Sequence, residues 1–154
     1  MTANHRFAFD GPMDVGDVAH VRRFVERLCR RQLTTEDGVS RLAMATHELL
    51  ENAVKFSIDG AASLTIEVKP NAEVSITTRN RASKADLADL SRLANDLHNA
   101  ADPMKFYLDL MRRSPSQVRG GLGIGRVAAE AEMRIELDVQ GDVVQVRAEG
   151  MLAA

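Results

Sequence analysis

Tryptophan is absent from the 154 residues and tyrosine occurs once, which removes the aromatic stacking platform on which single-stranded nucleic acids are held. Cysteine also occurs once, as Cys29. No intramolecular disulfide can form, and such a chain is expected in a reducing cytoplasm. No His/Cys cluster shows metal-ligand spacing, which argues against a metal-dependent hydrolase. No apolar stretch approaches the roughly 20 residues of a spanning helix. The opening MTANHRFAFDG lacks the apolar run of a signal peptide or anchor. Nor does one charge dominate. The formal net charge is −2, so there is no global electrostatic case for nucleic acid. Neither a nucleic acid nor a membrane is an expected partner.

What is present is ordinary globular composition, 45% hydrophobic and 27% charged, over a length that predicts one domain spanning residues 1–154. HRFAF, residues 5–9, alternates as a strand, and Asp10-Gly11-Pro12 is expected to break it. A helix follows to about Gln32, capped by Asp14 or Asp17, with Val18, Val21, Phe24, Val25 and Leu28 at threes and fours. Arg22, Arg23, Arg27, Arg30 and Arg31 lie largely on its other side, as a solvated face or a partner-binding patch. Thr34-Thr35-Glu36-Asp37-Gly38 reads as a turn and a second helix start. That helix runs to about Phe56 on a core stripe of Leu42, Ala45, Leu49, Ala53 and Phe56, and Ser57 to Gly60 end it.

Strands 62–69 and 72–79 flank a Pro70-Asn71 turn. Residues 83–98 are helical through Leu87, Leu90, Leu93 and Leu97, and Asp102-Pro103 starts a short helix. SPSQVRGGLGIG reads as a loop and RVAAEAEM as a helix, and a hairpin about Gly141-Asp142 closes the chain. This order predicts an α+β fold, a two-layer α/β sandwich with a mostly antiparallel mixed sheet and helices on one face.

Two stretches carry chemistry. In HELLENAVKFS, Glu48 and Asn52 fall one helical turn apart with Lys55 on the same stripe. Such a Glu/Asn pair suits a divalent metal and a water, and a carboxylate there suits a general base. In RGGLGIGRVAAEA, Gly120, Gly121, Gly123 and Gly125 directly precede a helix. Bare backbone N–H groups at a helix N-terminus suit phosphate oxygens, and the alternative is a hinge or tight packing. The stretch is neither a Walker A loop, lacking Gly-Lys-Ser/Thr, nor a Rossmann fingerprint.

HELLENAVKFS resembles the N-box of the GHKL superfamily of histidine-kinase-like ATPases, and GGLGIGRVAAEAEM resembles its glycine box. The resemblance runs from about residue 5 to residue 148. The small size and a Glu four residues before Asn52 look most like the bacterial anti-sigma-factor serine kinases. It implies a Bergerat-type ATP-binding fold with ATP and Mg2+ as cofactors and a helical lid over about 83–119. Glu48 would be the general base and Asn52 the Mg2+ ligand. Lys55 would approach a phosphate, and Gly121, Gly123 and Gly125 would lie against the phosphates. His47 reads as an ordinary helix-surface histidine. The implied partner is a protein, an anti-sigma antagonist or a sigma-like regulator, and homodimers are common in the resembling family.

The family's Asp-x-Gly-x-Gly box departs from pattern. The corresponding ITTRNRASKADL has no glycine and places Arg79 or Asn80 where the adenine-binding Asp is expected. Of the two, only Asn80 retains an acceptor. The lid carries Met104, Phe106, Tyr107, Leu108, Leu110 and Met111, which read as domain packing or as a partner surface. Two functions follow: a Mg-ATP-dependent serine/threonine kinase acting on a regulatory partner, and a nucleotide-independent module that sequesters a partner. A subunit of a larger ATPase machine is disfavoured, because no second domain is visible.

Overall fold

The computed structural model describes residues 4–33, 35–113 and 120–152. Its elements are β1 (His5–Pro12), α1 (Val15–Cys29), α2 (Glu36–Lys55), β2 (Ala61–Val68), β3 (Glu73–Arg81), α3 (Lys84–Asn99), α4 (Pro103–Met111), α5 (Gly121–Glu130), β4 (Arg134–Gln140) and β5 (Val143–Met151). The strands form one five-stranded sheet in the order β1-β2-β3-β5-β4. Every pairing is antiparallel, so the expected α+β sandwich stands but its sheet is not mixed among the described residues.

Alternation decides which face is covered. Leu64, Ile66 and Val68 of β2, Val74 and Ile76 of β3, and Val144, Val146 and Ala148 of β5 are buried under the helices. The other face carries rows of polar partners, such as Arg6 opposite Glu67 and Thr65 opposite Thr77. The long helix α2 lies against β2, β3, α1 and α5, and its predicted stripe residues Leu42, Ala45, Leu49 and Ala53 are buried. Thr35 caps it by accepting from the Gly38 N–H at 3.0 Å, a replacement for one missing intrahelical bond. Among the described residues no helix is long and apolar enough to cross a membrane.

Local differences from the sequence reading have simple causes. β1 does not break at Asp10 but continues to Pro12, opposite Ala61. It is an edge strand, where a proline removes no needed ladder donor. α1 ends at Cys29 rather than Gln32, and Phe24, counted in its core stripe, is 50% exposed and meets Phe9 edge-on at 5.7 Å. Its arginines Arg23, Arg27, Arg30 and Arg31 are exposed, with Arg30 bonded to Glu26 and Glu36. The largest difference concerns the glycine stretch. Gly121, Gly123 and Gly125 are not in a loop before a helix but inside α5, whose N-cap is Gly120 at φ +71°. The expected lid comprises α3 and α4, and its remaining residues 114–119 lie outside the described residues, as does Thr34 of the predicted turn.

Candidate functional site

Glu48 and Asn52 project from successive turns of α2 toward the start of α5. Asn52 Nδ2 donates to the Gly120 carbonyl at 2.9 Å. Glu48 Oε1 lies 3.3 Å from Arg126 Nη1, and Arg126 Nε also bonds Glu130 at 2.8 Å. The structure therefore brings Glu48, Asn52 and the glycine stretch together, as their types and spacing suggested.

The glycines are there because other side chains need the room. A Cβ on Gly123 would stand 2.6 Å from Glu48 Oε2, and one on Gly120 would stand 2.6 Å from the Phe56 ring. A Cβ on Gly121 would meet Leu93 of α3 at 3.3 Å, and one on Gly125 would meet Leu110 of α4 at 3.0 Å. This is helix-on-helix packing, the alternative that the glycine motif left open. Among the described residues no side chain caps α5, which leaves the N-terminal N–H donors of the helix without a side-chain acceptor there.

Lys55 is not part of this constellation. Its Nζ lies 2.6 Å from Glu51 Oε1, and His47 Nε2 lies 3.0 Å from the other Glu51 oxygen. The hydrogen bond from Lys55, more than any other cause, holds the Glu51 carboxyl below its usual range. His47 is thus half-buried beside the Glu51 carboxylate on α2 rather than on an open surface.

The structure also chooses between Arg79 and Asn80. Arg79 is exposed, while Asn80 is buried at 8% exposure and donates through Nδ2 to the Arg81 carbonyl at 3.3 Å. Arg81 pairs with Asp142 at 2.7 Å and Asp59 at 3.6 Å outside the core. Asn80 lines a cavity of about 10 Å³ with Asn52, Phe56, Thr78, Leu90 and Ile124. That volume holds about one water molecule. Asn80 also borders an open pocket of about 150 Å³ with Asp10, Asp59, Ser63 and Arg79, and the Cβ positions of the glycines look toward Glu48, Phe56, Leu93 and Leu110. Among the described residues no group of three or more His, Cys, Asp or Glu could hold a metal ion.

The lid resolves into two faces. Leu110 is buried and Tyr107 packs on Gly125. Met104, Leu108 and Met111, at i, i+4 and i+7 of α4, are 41%, 43% and 48% exposed. Arg126 was missed in the sequence as a site residue. Its pairing with Glu130 is legible as an i,i+4 spacing, but its partner Glu48 lies 78 positions away, and nothing local announces that contact.

Residues 11–148 match the model of a family described as the histidine kinase-like ATPase domain. No curated protein matches the chain. Among solved structures, a chain in the SiaB–SiaC complex from Pseudomonas aeruginosa has the same fold at 16% identity, with a TM-score of 0.71, over 94% of this chain and 89% of that one.

Proposed function

Because the chain belongs to the histidine kinase-like ATPase domain family, we propose that it is a cytoplasmic signalling regulator that acts by binding a protein partner without nucleotide. One observation carries the reading: among the described residues the polar side chains of the site are engaged within the chain, Asn52 with Gly120 and Glu48 with Arg126, and the cavity that Asn80 shares with Asn52 and Phe56 is about 10 Å³. In this reading these internal contacts take the place of ATP and Mg2+. The similarity to a chain of a two-protein complex and the exposed Met104, Leu108 and Met111 stripe support a protein partner, because apolar patches of this kind cover themselves by association. The chain is read as a single domain.

A second reading has its own support. Glu48 and Asn52 are both retained and converge on the uncapped N-terminus of α5, the parts that a Mg-ATP-dependent serine/threonine kinase of the anti-sigma type would use. It requires α5 to withdraw from Phe56 and Asn52.

Cross-linking from the source cell, followed by titration of the purified partner, separates the two. The first reading predicts an affinity unchanged by Mg-ATP and no phosphate transfer to the partner. A partner bound only with Mg-ATP, or labelled on serine or threonine in a Glu48-dependent way, overturns it in favour of the second.

A further inference from the structure

At the far side of the sheet from β1, β4 pairs only with β5 among the described residues, so its outer backbone edge has no strand beside it. A groove of about 520 Å³ runs along that edge. Its walls are regular. Ser91, Asn95 and His98 on α3 line one side at helical spacing, and Ile135, Leu137 and Val139 line the other at strand spacing. The groove continues past His98 and Ile135 into a second one of about 340 Å³ toward Pro103 and Met133. Val139 is 38% exposed, an apolar residue on the covered side of the sheet that the fold leaves uncovered.

We propose that this groove is a docking site for an extended segment of a partner protein, which adds to the sheet as a sixth strand beside β4. An edge strand offers a row of free N–H and C=O groups, and an extended chain is the ligand that satisfies them. The side chains of β4 specify the rest. Residues of the added strand opposite Ile135, Leu137 and Val139 lie between the strand and α3 and are apolar. Residues opposite Glu136 and Asp138 lie on the open face, where Glu136 already meets Arg134 at 3.3 Å and the Asp138 carboxylate favours a basic side chain across the pair. The occupant is therefore a segment of alternating apolar and basic residues. A second copy of β4 meets this requirement less well: a two-fold antiparallel pairing centred on Glu136, Leu137 or Asp138 sets a carboxylate opposite a carboxylate, which is destabilising, and only a shorter overlap centred on Ile135 sets Arg134 opposite Glu136. The site stands on the β4 edge and α3 alone and holds whether or not nucleotide enters beside Asn80.

The test uses the full chain and three synthetic blocked peptides of about ten residues, alternating Lys-Val, Lys-Pro and Glu-Val. Lys-Pro has the charge of Lys-Val but loses every second backbone N–H, and its prolines hold φ at about −65°, away from strand geometry. Amide NMR titration is expected to show Lys-Val shifting residues 91–98 and 134–140, Lys-Pro binding about tenfold more weakly, and Glu-Val not binding. A Glu136→Lys, Asp138→Lys variant is expected to weaken Lys-Val about tenfold. The variant Ser91→Tyr, Asn95→Tyr blocks the helical wall without touching β4 and is expected to abolish binding, with unchanged circular dichroism. Absence of Lys-Val binding overturns the proposal. So does equal binding of Lys-Val and Lys-Pro, which would mean charge attraction only. Concentration-dependent self-association lost in the β4 variant would assign the edge to a second copy and likewise overturn it.

Discussion

Arg126 and Glu48, on helices α5 and α2, meet at 3.3 Å with side chains 43% and 22% exposed. The contact ties the candidate base to helix α5. Part-exposed pairs of this kind contribute modestly. A double-mutant cycle on Arg126→Gln and Glu48→Gln, read by urea denaturation, should give a coupling of about 0.5–1 kcal/mol. A coupling of zero would show that α5 does not hold Glu48 in solution.

Alanine at three glycines should rank in a fixed order. At Gly38 a Cβ would stand 1.9 Å from the Leu152 backbone oxygen, so neither partner can yield and the cost should be about 3 kcal/mol or more. At Gly120 the left-handed backbone adds to the clash with the Phe56 ring, for about 2–3 kcal/mol. At Gly123 only the end of the Glu48 side chain must swing away, and alanine gains about 1 kcal/mol of helix propensity in return. Gly123→Ala should be near neutral in thermal unfolding, and a large loss there would mean that Glu48 cannot move.

Asn80→Asp restores the residue type expected of the family's adenine box but should not restore an open pocket. It removes the donor to the Arg81 carbonyl and buries a carboxylate at a position 8% exposed. Destabilisation of about 1–3 kcal/mol is expected at neutral pH. Burial raises a carboxyl pKa, so the loss should be full above the folded pKa and should vanish as pH falls below the unfolded one. Equal destabilisation at low and neutral pH would refute a buried charge as the cause.

Cys29 is buried, and burial pushes its thiol up to about 12 from 9.0. The native protein should not react with a thiol reagent at pH 8, and the unfolded protein should titrate one thiol. Between pH 9 and 12 the unfolded thiol ionises while the native one does not, so this group lowers stability as pH rises. Native-state labelling at pH 8 faster than global unfolding would place the thiol nearer the surface.

The periodic parts of the fold were legible because burial imposes them. The α2 stripe, the three leucine-spaced turns of α3 and the two hairpins all appear where alternation or helical spacing put them. Pro12 read as a break because a sequence does not show that its strand lies at a sheet edge. The packing role of the α5 glycines was not legible because it is tertiary: Glu48, Phe56, Leu93 and Leu110 come from three other helices or their ends. The convergence of Glu48 and Asn52 on that helix was foreseen, while the competing grip of Arg126 on Glu48 and of Glu51 on Lys55 was not. Each is an ion pair among several partners within reach, and geometry decides which one forms.

The proposal that the chain acts without nucleotide is tested most directly by calorimetry of the purified chain with Mg-ATP at about millimolar concentration, the range in which weak nucleotide binding is still visible. The wild-type chain and Asn52→Ala are expected to show the same absence of saturable heat and of thermal shift. Saturable heat in the wild type that Asn52→Ala removes would contradict that proposal and establish the helix α2 face as a nucleotide site.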